Sequence, residues 1–230
     1  MLYDTCYMIH KYLKWNEKII TDFNDNNINS LYNKGYVFTR LGKGIMNQTR
    51  SLRIDLSKFE LSSENKRILR KTEQLRVTSY ELPFTQYNWS VGKIAKDFYE
   101  TKFGAGIFTA NKIKELLTNS KKSNFNKLLV YKIDDDTAGY AICYETNEIL
   151  HYSYPFYNLK PESYKLIPNL GMSMMLKAIL SAKKNKKKYI YLGSAQHQND
   201  VYKLQFVGLE WFDGKIWNNN LEELKNILKK

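Results

Sequence analysis

The residues best equipped for chemistry lie between Tyr189 and Lys203. An apolar run, Tyr189-Ile-Tyr-Leu-Gly193, gives way to the polar run Gln196-His197-Gln198-Asn199-Asp200, and the pair Tyr202-Lys203 follows. An imidazole with a reference pKa of about 6.5 is a proton acceptor at neutral pH, so His197 is a candidate base; the alternative is a loop histidine with no role. Tyr202 offers a phenol for alignment or a ring for packing. Lys203 offers an ammonium to a phosphate or an acidic side chain, or only to water.

A second grouping is electrostatic. Lys66, Arg67, Arg70 and Lys71 occupy positions i, i+1, i+4 and i+5 and make one basic stripe if the segment is helical. Lys184 and Lys188 add charge after a later helix. The chain carries 36 Lys and Arg against 23 Asp and Glu, a formal +13. That excess favours a polyanionic partner, because each neutralised phosphate releases a condensed counterion. A lysine-rich solvated surface is the competing explanation.

These residues need a frame. The 230 residues can bury a proper core as one large domain or two small ones, and 43% are hydrophobic. No apolar window is long enough for a membrane span, and the first residues lack a secretory core, so a cytoplasmic chain is expected. Two cysteines, Cys6 and Cys143, make neither a disulfide framework nor a cysteine-only zinc site. Residues 11–36 read as a short strand and a helix capped by Asp25 or Asn26 and ended by Gly35. Residues 51–59 alternate as a strand, with Leu52, Ile54 and Leu56 on one face. Residues 61–77 read as a helix opened by Ser62 or Ser63, and helices follow near 86–103 and 109–120. Three apolar runs between 127 and 156 make an antiparallel meander. A helix over 168–188, the strand at 189, a hairpin at Asp213-Gly214 and a helix from Asn220 complete the order. Meander, helix, strand, short helix and hairpin is the plan of a GNAT-like acyltransferase domain: α/β (α+β), a mixed, largely antiparallel sheet with helices on both faces. A small amino-terminal region, 1–78, bearing the basic helix would precede a transferase domain, 79–230.

Two stretches carry a closer resemblance. "SLRIDLSKFELSSENKRILRKTEQLRV" and "YIYLG…VYKLQFVGLEW" resemble the arginyl-tRNA–protein transferases and bacterial aspartate/glutamate leucyltransferases. In that family a Leu-Arg-Ile strand leads to an Arg-rich helix, and a Tyr-Leu-Gly strand to a Tyr-Lys pair. "NLGMSMMLKAI" is similar to the family's Ser-Leu-Gly helix start. The chain departs from the family in lacking its cysteine-rich patch before the Leu-Arg-Ile strand. Tyr154 replaces an aspartate, Val201 stands before the Tyr-Lys pair, and Ser194-Ala195 replaces an aromatic pair.

The resemblance implies attack by a protein's amino-terminal amine on an aminoacyl-tRNA ester, with no covalent intermediate. The missing cysteine patch removes the ligands of any metal or cluster that relatives bind there, so no metal and no cofactor are expected. His197, Tyr202 and Lys203 would be catalytic, Tyr202 aligning the ester or the terminal adenosine. Arg53, with Arg50 beside it, would read an acidic first residue, Asp or Glu, of the acceptor protein; an internal salt bridge is the alternative for Arg53. Tyr154 would line the donor pocket. Gly171 would open the helix that takes one phosphate or the carbonyl oxygen. Lys66, Arg67, Arg70, Lys71, Lys184 and Lys188 would bind tRNA. Two other readings stay open. One is an acyl-CoA-dependent N-acyltransferase, disfavoured by the single glycine of "IPNLGMS"; the other is a non-catalytic tRNA- or RNA-binding module.

Overall fold

A computed structural model describes residues 12–161 and 167–229. Cys6 lies outside the described residues. Eleven strands and six α-helices follow in order: β1 (Asn16–Ile19), α1 (Asp25–Asn33), β2 (Tyr36–Phe38), β3 (Ile45–Gln48), β4 (Ser51–Asp55), α2 (Ser63–Lys71), β5 (Leu75–Glu81), α3 (Trp89–Phe103), α4 (Ala110–Thr118), β6 (Lys127–Ile133), β7 (Asp136–Glu145), β8 (Ile149–Tyr157), α5 (Leu170–Lys184), β9 (Tyr189–Ser194), β10 (Leu209–Phe212), β11 (Trp217–Asn218) and α6 (Leu221–Leu228). A 3-10 helix, Gln198–Gln205, links β9 to β10.

Eight strands form one sheet in the order β11-β10-β4-β9-β8-β7-β6-β5. Every pairing in it is antiparallel except β8 with β9. The expected mixed, largely antiparallel sheet is therefore what the chain forms. The alternation in β6 and β7 sends Leu129, Tyr131 and Cys143 to one face and Val130, Tyr140 and Ile142 to the other. One core lies under α2, α5 and α6; the other lies under α1, α3, α4 and the three-stranded sheet β1-β3-β2. Two covered faces explain why the central strands are apolar throughout.

Local chemistry sets the helix starts. Ser62 caps α2 in a reciprocal box with Asn65, Thr109 caps α4 and Asn220 caps α6. The cap of α1 is Asn24, whose side chain accepts the Asn27 N–H at 2.9 Å, rather than Asp25 or Asn26. The expected helix over 61–77 stops at Lys71. Residues 75–81 become β5 and pair with β6 along their whole length. The β-branched Val77 and Thr78 find a partner some fifty residues downstream (Tyr131 and Val130), which no local pattern announces. A boundary after residue 78 falls inside β5, and β4 lies between β9 and β10, so the sheet's hydrogen bonds run across it.

Candidate functional site

Strands β8 and β9 run parallel but pair over three residues only, ending at His151 with Tyr191. β8 continues to Tyr157 and β9 to Ser194. Both strands are bulged just beyond the last pair. In β8, Tyr152 stands opposite Cys143 and Tyr154 opposite Ile142, so Ser153 is an extra residue. In β9, Ser51 faces Ser194 while Arg53 faces Tyr191, which leaves Leu192 and Gly193 against Leu52. A bulge bends a strand and frees its backbone from the ladder. Two bulges at one level part the strands and open a wedge in the middle of the sheet, at the carboxyl ends of the parallel pair. Open α/β sheets bind ligands at that end. Gly193 holds φ +77°, and a Cβ built there meets nothing within 4 Å. Glycine supplies the turn, and the space beside it is open to a ligand's close approach.

Tyrosines surround the wedge. Burial pushes the phenols of Tyr99, Tyr152 and Tyr157 upward, and the Tyr202 phenol adds to each shift. Burial likewise pushes half-buried Tyr154 up to about 12, and the charge of Arg40 partly offsets the push. These phenols stay protonated at neutral pH and can donate hydrogen bonds. Gly171, in the first turn of α5, lies against Tyr157: a Cβ there would come within 3.1 Å of its ring. The residue before that helix, Asn169, is left-handed at φ +61° and its side chain caps nothing.

The polar run after β9 is a built corner. Asp200 accepts the Gln196 and His197 N–H groups at 2.9 and 3.1 Å through one oxygen. The other oxygen takes Lys203 Nζ at 2.7 Å. Burial works to raise the Asp200 pKa, but the Lys203 charge and these hydrogen bonds outweigh it and hold the carboxylate below its usual range. Lys203 is only 9% exposed and also donates to the Ser194 carbonyl at 2.9 Å. It fastens the end of β9, with its ammonium already paired to Asp200. Tyr202, the next residue along the chain, is 47% exposed and faces the mouth. His197 is exposed at the start of the 3-10 helix. Gln196 accepts the Leu13 N–H at 2.9 Å and donates to Thr49 Oγ1 at 2.9 Å, tying the segment before β1 to the corner.

Arg53 takes its alternative reading. Its Nε donates to Glu210 at 2.8 Å and its Nη1 to Asn33 at 3.2 Å. The guanidinium lies 3.9 Å from the Tyr189 ring centre and 4.0 Å from that of Trp217. The strand pattern put Leu52, Ile54 and Leu56 inside but not Arg53, yet β4 is central and covered on both faces. Arg53 is therefore internal and already paired with Glu210. Arg50 is half-buried, and its Nη1 reaches the Ala195 carbonyl at 3.4 Å. Burial lowers its pKa.

The basic residues divide. α2 touches the wedge's surroundings at both ends: Asn65 meets Gln205 of the 3-10 helix at 3.5 Å, and Thr72 meets Ser173 in the first turn of α5. Lys66, Arg70 and Lys71 are exposed there and make no ion pair with a described residue, while Arg67 is held two-pronged by Glu64 at 2.6 and 2.5 Å. Lys184 and Lys188 lie elsewhere. They sit at the end of α5 and just before β9, at the opposite end of that strand from the wedge. At about 3.3 Å per residue, β9 alone separates Lys188 from Ser194 by about 20 Å.

Sequence reasoning missed Arg40, Tyr99, Ser153, Tyr157 and Gly193. Only Gly193 had a local signal, the glycine ending an apolar strand. Among the described residues, no three His, Cys, Asp or Glu side chains converge as metal ligands, and no helix is long and apolar enough to cross a membrane.

No protein-family model matches the chain, and no curated protein matches it. Solved structures do. The C-terminal DUF2156 domain of a protein assigned as a lysylphosphatidylglycerol synthetase from Agrobacterium fabrum is 14% identical, over 67% of this chain and 49% of that one, with a TM-score of 0.44. The L-PGS of Bacillus licheniformis is 12% identical, over 90% and 71%, with a TM-score of 0.46. A GCN5-related glucosamine N-acetyltransferase region in a fungal multi-domain GH3 β-N-acetylglucosaminidase is 11% identical, over 84% and 23%, with a TM-score of 0.47. The chain thus spans about half of the first of these chains and less than a quarter of the third.

Proposed function

We propose that the chain is an acyl-group transferase, and within that class an aminoacyltransferase that moves an amino acid from charged tRNA to a protein's amino-terminal amine. The observation that carries this reading is the wedge, where two bulges part β8 and β9 beside protonated phenols. An ester is already activated, so the protein's task is to place ester and amine together and to stabilise the oxyanion. The amine nitrogen attacks the ester carbonyl carbon. The carbon–oxygen bond to the ribose breaks, and the proton lost by the amine matches the one gained by the ribose oxygen. Tyr202, exposed at the mouth, is suited to donate to the ester. Main-chain groups freed by the bulges are suited to the oxyanion. No nucleophilic side chain is needed. Cys143 is fully buried, and burial pushes its thiol up, away from the reactive thiolate.

The donor is argued from charge. Lys66, Arg70 and Lys71 are exposed, make no ion pair with a described residue, and suit a phosphate backbone. A cytoplasmic setting fits a charged-tRNA donor. A second donor, an acyl-CoA, is favoured by one feature: the first turn of α5 carries no side-chain cap and would accept a phosphate. One assay separates the donors. The protein is incubated with total charged tRNA or with acetyl-CoA, and with peptides beginning Asp, Glu or Ala, and the products are weighed by mass spectrometry. Addition of an amino-acid residue mass from charged tRNA is expected. An acetyl mass instead would reassign the donor, and no transfer from either would remove the enzyme reading in favour of an RNA-binding module.

A further inference from the structure

Arg40 is a half-buried cation with no acid against it among the described residues. It is half-buried just after β2, with its guanidinium carbon 4.4 Å from the Phe108 ring centre. It lies close enough to Tyr99 and Tyr154 to offset part of the upward push on both phenols. Among the described residues no carboxylate comes within ion-pair distance of its guanidinium, and none of the guanidinium's donors is hydrogen-bonded, while its main-chain N–H donates to the Tyr154 hydroxyl. Several other withdrawn cations have an acid, although half-buried Arg50, Lys132 and Lys177, like Arg40, have none among the described residues. Arg53 has Glu210, Lys127 and Lys187 share Glu145, and Lys203 has Asp200. A guanidinium held over a ring, out of bulk water and with its fork of donors unused, is a preformed receptor for a planar or tetrahedral oxyanion.

The position adds a second argument. Tyr154 directly follows the bulged Ser153, so Arg40 borders the parted strands. The Tyr12 phenol is also near enough to Tyr154 to raise its pKa. Tyr12 is brought there by its neighbour Leu13, whose N–H and carbonyl are bound by Gln196 and Thr49. A cation and protonated phenols thus meet at one edge of the wedge.

We propose that Arg40, with the phenols of Tyr154 and Tyr12 beside it, binds an anionic oxygen group of a substrate held in the wedge, a carboxylate or a phosphate. This rests on the reading of the wedge as a transfer site. It supplies a cation for an acidic acceptor residue where Arg53 is already paired with Glu210, and a phosphate of the donor is the other source of the same chemistry.

The test is binding and needs no turnover. Wild type, Arg40→Gln and Arg40→Lys are titrated calorimetrically with four probes: carboxamide-ended tripeptides beginning Asp or Asn, adenosine 5′-monophosphate, and adenosine. Thermal unfolding of each variant checks that it is folded. Wild type is expected to prefer one anionic probe over its neutral twin by tenfold or more. Preference for the Asp peptide identifies an acceptor carboxylate; preference for the nucleotide identifies a donor phosphate. Arg40→Gln should reduce the preference to within twofold, and Arg40→Lys should retain part of it. No preference in wild type, or full preference in folded Arg40→Gln, overturns the proposal. Should Arg40→Gln fail to fold, Arg40→Lys decides: a fall of threefold or more supports the site and an unchanged preference overturns it. Arg40-dependent binding in a protein that transfers nothing leaves this site standing and removes the transferase. Transfer whose acid preference Arg40→Gln leaves unchanged does the reverse.

Discussion

Arg53 and Arg40 each lay a guanidinium against aromatic rings, and they serve opposite ends. Arg53 sits in the β4–β10 half of the sheet, between Tyr189 and Trp217, and Glu210 neutralises it at 2.8 Å. Arg40 sits at the edge of the wedge over Phe108, with no carboxylate of the described residues against it. The same side chain is a structural rivet where the fold brings it an acid, and is proposed as a receptor where no described residue supplies one. Arg53 lies inside the eight-stranded sheet, held by β10 beside the β4–β9 bulge; Arg40 follows β2, outside that sheet, near the bulge in β8.

The largest effect should come from breaking the Arg53–Glu210 pair. Arg53→Met strands Glu210 in a poorly solvated site, for which about 3–5 kcal/mol of lost stability is typical. Lys58, 3.8 Å from the other Glu210 oxygen, should keep the loss near the lower figure. Urea unfolding measures it, and Arg53→Met combined with Glu210→Leu should recover most of it. Activity per folded molecule should not change; a fall in that activity with normal stability would return Arg53 to the site.

The neighbours Tyr202 and Lys203 repeat the contrast over one peptide bond. Lys203→Ala removes a buried ammonium from Asp200 and the Ser194 carbonyl and should cost about 1.5–3 kcal/mol of stability, as charged hydrogen bonds do. Tyr202→Phe makes no cavity and should leave unfolding unchanged, while lowering the transfer rate by about 10²–10³ if its hydroxyl meets developing charge. Both proteins are measured for melting temperature and for rate. Equal loss of stability with full activity in the two would place Tyr202 in the scaffold beside Lys203.

The floor of the wedge sharpens the comparison through pH. His151 is 2% exposed and its Nδ1 meets the Tyr32 hydroxyl at 2.9 Å, while that oxygen accepts the Phe38 N–H. The tyrosine proton is thus free to point at a neutral imidazole. Burial lowers the His151 pKa to about 3 from 6.5. A depressed folded pKa means the unfolded chain binds the proton first. The stabilisation is therefore complete above about pH 6.5 and is lost as pH falls toward 3, by at most about 1.4 kcal/mol per pH unit. Between pH 6.5 and 5 most carboxylates are still ionised, so denaturant unfolding over that interval isolates the histidine. A flat profile in wild type would show that His151 is already solvated and the floor open.

Much of the frame was legible because its causes are local. Ser62, Thr109 and Asn220 announce helix starts through side chains that reach amides two or three residues away. The meander shows as apolar runs with turns between them, and the Tyr189–Gly193 strand as a short apolar run with a glycine at its end. The basic stripe follows from helical period alone. The sequence thus determined the order of elements, the two-faced burial of the middle strands and the corner after β9. Which strands stand side by side was not local. β5 needed β6 from some fifty residues away, and β4 needed β9 and β10. Pairing of that kind decided that Arg53 would be enclosed with Glu210. It decided that Lys203 would be spent on Asp200 and Ser194, and that Lys184 and Lys188 would lie far from the mouth. It also decided that Ser153 and Gly193 would bulge at one level. No residue type encodes a partner's absence, so only the tertiary structure could leave Arg40 at the edge of the opening without an acid among the described residues.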